Sequence, residues 1–110
     1  MEDFVKGDVV VLPFPFSDLS GAKRRPALVL ATLQGSDILL CQITSQYSEK
    51  RQAIELAAND FASGSLPVAS YIRPTRIFAA DSEIIIRKAG HVSQAVMEKV
   101  IDSIIVVLKQ

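Results

Sequence analysis

Three consecutive cations, Lys23-Arg24-Arg25, run straight into Pro26 and the apolar stretch Ala27-Leu28-Val29-Leu30-Ala31. Proline fixes the backbone where the charges end, so the scaffold rather than its own rotamers places the preceding arginine. A planar, permanently charged guanidinium held this way is suited to gripping a phosphate through two parallel hydrogen bonds. A solvated turn carries such a run just as readily. The next polar pair is Thr44-Ser45, at the end of another apolar stretch. Its hydroxyls can donate to a phosphate oxygen or accept from a ribose 2′-hydroxyl, and can equally satisfy the backbone of a turn. Tyr47, Phe14 and Phe16 offer faces on which unpaired bases stack, Tyr47 best because its neighbours are polar. Arg73 and Arg76 extend the set of cations able to follow a nucleic-acid backbone, or are solvated strand edges.

Cutting RNA without a metal needs three things. The 2′-hydroxyl must lose a proton, the crowded phosphate must be neutralised, and the leaving oxygen must regain a proton. Arg25 meets the second need and can assist the third. Neither Thr44 nor Ser45 is a base at neutral pH, and Asp18 is the one carboxylate that the segment before the cations offers. His91 has the right intrinsic pKa, but its place just ahead of a C-terminal helix reads as a surface or capping residue. Cys41, the only cysteine, sits between Leu40 and Gln42 and reads as a small core residue. One Cys and one His cannot supply the ligands of a zinc site from one chain, and no cofactor is expected.

These side chains must be positioned by a single domain, since 110 residues allow one core and not two. Formal net charge is zero, so attraction to a polyanion must come from a local patch. No apolar run reaches the roughly 18 residues that span a bilayer, and the start lacks the pattern of a signal peptide. A cytoplasmic protein is expected. Short β-branched runs predict strands at 9–12, 26–32 and 38–44, the last two forming a hairpin across Gln34-Gly35-Ser36-Asp37. Pro13 and Pro15 should end the first strand, leaving 17–24 as a polar loop that carries Lys23 and Arg24. The near-continuous apolar character of 26–32 predicts burial on both faces. Weaker strands follow at 52–56, 68–72 (stopped by Arg73-Pro74), 77–79 and 84–86, with 59–67 a loop centred on Ser63-Gly64-Ser65. From Ser93, a candidate N-cap, the period becomes helical, with Val92 and Met97 placed as a hydrophobic staple. Val96, Met97, Val100, Ile101, Ile104, Ile105 and Leu108 share one stripe. Val106 and Val107 widen it, which suggests contact with a second chain, though a wide core face explains the surplus almost as well. The sum is a mainly β domain, a small barrel or sandwich closed by a helix.

Three segments, Gly7-Asp8-Val9-Val10, Arg25-Pro26-Ala27-Leu28-Val29-Leu30 and Ile43-Thr44-Ser45-Gln46, in this order and spacing resemble the PemK/MazF toxins. Tyr71-Ile72-Arg73 and the C-terminal amphipathic helix extend the resemblance over essentially the whole chain. It implies a small SH3-like β-barrel with a C-terminal helix, working as a homodimer. It implies a sequence-selective, metal-independent endoribonuclease acting on single-stranded mRNA, the toxin of a type II toxin–antitoxin pair with a cognate antitoxin protein as partner. By position, Arg25 and Thr44 match the family's catalytic arginine and threonine. Lys23, Arg24, Ser45, Tyr47, Arg73, Phe16 and Asp18 are then the expected substrate-binding residues. Some members carry an Arg and an Asp where this chain has Val68, Ala69 and Ser70, so that acid/base pair does not transfer. Two other classes compete: a barrel that binds RNA or DNA without cutting, and a protein-interaction module whose basic loop meets an acidic partner.

Overall fold

The computed structural model describes residues 3–14, 23–47 and 52–110. Phe16 and Asp18 lie outside the described residues. Within them the chain forms β1 (Asp8–Phe14), β2 (Lys23–Thr32), β3 (Asp37–Thr44), β4 (Ile54–Leu56), β5 (Phe61–Gly64), β6 (Ser70–Asp81), β7 (Arg87–Val92) and α1 (Gln94–Lys109). The strands make one antiparallel sheet in the order β4-β6-β3-β2-β1-β7-β5, curled into a nearly closed barrel. No helix among the described residues is long and apolar enough to cross a membrane.

β2 sits at the centre and is buried from both sides, as its sequence predicts. Leu28 and Leu30 join Val9, Cys41, Ile43 and Ile72 in a first core, which α1 covers with Val96, Met97 and Val100. Ala27 and Val29 join Val10, Leu12, Ile38 and Leu40 in a second core on the opposite face, which Phe78, Ala80 and Ile85 close. Phe14 is buried there, edge-to-face on Phe78 with ring centroids 5.2 Å apart. The β2–β3 hairpin forms as expected, with Ala27 opposite Gln42 and Leu28 opposite Cys41. α1 also starts as expected: the Ser93 side chain accepts from the Val96 N–H, and the staple residues Val92 and Met97 are both buried.

Several expectations fail for identifiable reasons. β1 does not end at Pro13, because β7 leaves it at Val11, opposite Arg87. The missing N–H of Pro13 therefore falls where β1 has a neighbour on one side only. Lys23 and Arg24 belong to β2, paired with Phe14 and Pro13, and not to a loose loop. The strands expected at 68–72 and 77–79 are one strand, β6. Its partner register jumps from Ile43 opposite Ile72 to Cys41 opposite Ile77, so residues 73–76 bulge out opposite a single position of β3. The Cys41 thiol donates to the Arg73 carbonyl across 2.8 Å inside that bulge, and Pro74 is fully buried. Residues 84–86 do not form a strand; a 3-10 turn, Ser82–Ile84, precedes β7.

The loop expected at 59–67 contains β5, which pairs with β7. Gly64 supplies close approach there and not slack. It has φ +72°, and a Cβ would stand 2.2 Å from the Ala89 carbonyl oxygen. Gly35 has nearly the same φ, +71°, with nothing within 4 Å. Gly35→Ala should therefore cost only left-handed strain, about 1–2 kcal/mol, whereas Gly64→Ala should cost distinctly more, because backbone must move. Denaturant unfolding of the two variants measures the difference.

Candidate functional site

Arg87 and Pro26 flank Val11 from either side, since Val11 pairs with Arg87 on β7 and with Pro26 on β2. This brings two separate basic segments to one end of the barrel. Arg24, Arg25 and Arg87 there border a cavity of about 330 Å³ with Ser45, against an apolar wall that includes Ile43, Leu66 and Ile86. No carboxylate or imidazole of the described residues lines it. Three guanidiniums around one concavity favour a polyanion, and the apolar wall lowers the local dielectric in which they act.

Ala27 with Gln42 is the last β2–β3 pair; beyond it Arg25 continues along β1 opposite Leu12, while Thr44 pairs with Tyr71 of β6. Thr44 alternates with Ile43 of the first core, so its side chain stands on the opposite face of β3 from Ile43, which borders the cavity. Thr44 is buried, and its Oγ1 accepts the Gln46 N–H at 3.1 Å. The turn-satisfying reading of the hydroxyl holds, yet the bond uses one lone pair and leaves its proton to donate.

The other expected residues are placed as follows. Ser45 borders the cavity, while Thr44, Lys23, Tyr47 and Arg73 are not on its wall. Tyr47 is 63% exposed and packs at a tilt on Tyr71, centroids 5.4 Å apart. Arg73 lies in the β6 bulge and Arg76 is exposed beside it. Arg87 was not singled out by sequence, where it reads as half of an ordinary basic pair; only its pairing opposite Val11 puts it at the site.

Asp8 was also missed. It is 1% exposed, accepts the Val5 N–H with Oδ2 at 2.9 Å, and holds His91 Nδ1 with Oδ1 at 2.8 Å. His91 is therefore a β7 residue latched to the start of β1, and the cap of α1 is Ser93 alone. The pair lies away from the cationic cavity and ties β7, and with it Arg87, to β1. Cys41 is buried and its thiol is pushed up to about 12, chiefly by desolvation. It is a core residue, as expected, and no nucleophile.

The fold and site together define a β-barrel with a cationic concavity at one end. The family model of the PemK-like, MazF-like toxins of type II toxin–antitoxin systems matches residues 5–108. The chain belongs to that family. Among solved structures it is similar to a MazE–MazF complex of Deinococcus radiodurans (TM-score 0.77, 20% identity, 97% of each chain covered). It is similar also to MazF of the same organism (TM-score 0.75, 22% identity, 98% of this chain and 100% of that one). An endoribonuclease from a mycobacterial species has a TM-score of 0.74 at 17% identity, over 99% of this chain and 94% of that one. No curated protein matches the chain.

Two outcomes follow. Asp8→Ala, which strips the Val5 N–H and His91 of their buried acceptor, should cost on the order of 1–3 kcal/mol in denaturant unfolding. Cys41, protonated and enclosed, should resist a disulfide-exchange reagent at pH 8 and react fully once the protein is unfolded, as thiol titration reads directly.

Proposed function

We propose that this toxin is a sequence-selective endoribonuclease that cleaves single-stranded mRNA in the cytoplasm without a metal. The observation that carries the reading is the convergence of Arg24, Arg25 and Arg87 with Ser45, the residue after Thr44, on one cavity. Relatives of the same fold named as an endoribonuclease support it.

Arg25, half-buried at the root of β2, grips the non-bridging oxygens of the scissile phosphate. Arg24 and Arg87 hold the same group or its neighbour. The Thr44 hydroxyl donates to a phosphate oxygen. The ribose 2′-oxygen then bonds to phosphorus as the bond to the 5′-oxygen breaks. The 2′-proton passes to solvent and the leaving oxygen takes one up. With no carboxylate or imidazole of the described residues on the cavity wall, charge stabilisation does most of the acceleration.

The same cations are the natural seat for an acidic segment of an antitoxin, a partner present in the solved MazE–MazF complex. A homodimer is part of this reading. Ile105, Val106 and Leu108 leave an apolar face of α1 exposed, 42%, 57% and 75% respectively, beyond what its own core uses.

In EDTA, the purified protein should cut single-stranded RNA, and Arg25→Ala should lower the rate on the order of 10²–10³-fold with an unchanged circular-dichroism spectrum. Uncut RNA with the parent protein, or equal cutting by both, contradicts the reading. Val106→Asp should shift sedimentation toward monomer, since a carboxylate cannot be buried unpaired at an apolar contact.

A further inference from the structure

The sheet carries a row of side chains that the cleavage chemistry does not use to its end. Thr44 of β3 pairs with Tyr71 of β6, and Tyr71 pairs with Glu55 of β4. Directly paired residues on neighbouring strands point to the same face. One transverse row therefore reads Thr44, Tyr71, Glu55 over three adjacent strands, and Arg25 lies on β2, the next strand beyond Thr44. A cation stands beyond one end, a carboxylate at the other, and an aromatic ring between them. Tyr47 leans on Tyr71 and widens the aromatic part. Glu55 is exposed on an edge strand, and no hydrogen bond or ion pair holds its carboxylate among the contacts described.

Distance decides what Glu55 can do. Three strand steps of about 4.8 Å lie between β4 and β2, so Glu55 stands roughly 14 Å or more from Arg25. Side chains stand roughly perpendicular to a sheet, so their heads keep most of that separation. A general base must come within hydrogen-bond reach of the proton it takes. Glu55 is therefore too far from a phosphate on Arg25 to serve the bond being cut. It is instead placed beyond an aromatic platform, where a neighbouring base lies when the backbone crosses the strands. Sheets with exposed aromatics read single-stranded RNA in this manner, stacking bases and bonding their Watson–Crick edges. A carboxylate only accepts, through two oxygens side by side. Guanine is the base whose Watson–Crick edge presents two adjacent donors, N1–H and the N2 amino group.

We propose that Glu55 is a specificity-determining residue that reads a guanine near the scissile phosphate, with the Tyr47–Tyr71 pair as its stacking platform. The proposal rests on the cleavage reading above, because it takes the backbone direction from Arg25. Polarity along the row keeps the assignment self-consistent: phosphate is attracted to the arginine end and repelled from the glutamate end, which orders the RNA one way across the sheet.

The test uses binding, so that it stands apart from catalysis. Uridine oligomers made with 2′-O-methyl riboses, which lack the attacking hydroxyl, are each given one guanine, inosine or adenine, moved along the strand. Fluorescence anisotropy then measures their affinity for the full-length protein. At one position guanine should bind about tenfold more tightly than inosine, which lacks the N2 amine, or adenine. Glu55→Gln should bring the three together while still binding the guanine-free oligomer like the parent. Tyr71→Ala should weaken all of them by a similar factor of about ten. Equal affinity for guanine and inosine at every position, or a preference that survives Glu55→Gln, overturns the proposal. Cleavage of ordinary RNA by the parent and its loss in Arg25→Ala tests the underlying reading separately.

Discussion

Burial of β2 on both faces is the constraint from which the site follows. Leu28 and Leu30 must face one core while Ala27 and Val29 face the other. A slip of one residue against β1 or β3 would exchange the two sets and put leucines where an alanine and a valine fit, so the register has no near alternative. Because the register is fixed in the apolar half, it is fixed in the charged half as well. Arg25 stands across from Leu12 because Ala27 stands across from Val10. The protein pays for its precise core once and obtains a precisely placed guanidinium with it.

Prolines mark where the sheet gives way to the site. Pro13 and Pro26 both fall where their strands have a neighbour on one side, β7 having left β1 and β3 having left β2. Backbone that would otherwise be laddered is opened there, and the cavity bordered by Arg24, Arg25 and Arg87 occupies that opening. At the far end of β1 the buried Asp8 binds the Val5 N–H and His91, so the strand that carries Val11 is anchored away from the cations. One end of the barrel is held tightly while the other presents charge.

Much of this was legible in the sequence where the physics is local. β2, β3 and α1 were each readable because a β-branched or helical pattern ends at a clear signal: Pro26, the Gly35 turn, the Ser93 cap. β6 was not, because Pro74 normally stops a strand. Here the four-residue bulge and the thiol bond from Cys41 to the Arg73 carbonyl absorb the disruption, and neither can be seen without the partner strand. The sequence around Gly64 reads as a flexible loop, whereas the approach of Ala89 requires that glycine within β5. Within the site, Arg25, Arg24 and Ser45 were found from type and neighbours. Arg87, Asp8 and the Glu55–Tyr71–Thr44 row were not, since each depends on pairing between residues distant in sequence; Asp8 and His91 are 83 positions apart.

The account as a whole turns on one contact, the Arg25 guanidinium on a phosphate, with the RNA running across the strands. A crystal structure of the protein with an uncleavable 2′-O-methyl RNA measures it directly. The account predicts a phosphate within hydrogen-bond distance of Arg25, beside the Thr44 hydroxyl, with the strand passing over Tyr71 toward Glu55. An RNA seated elsewhere on the barrel, with Arg25 facing only solvent, contradicts it.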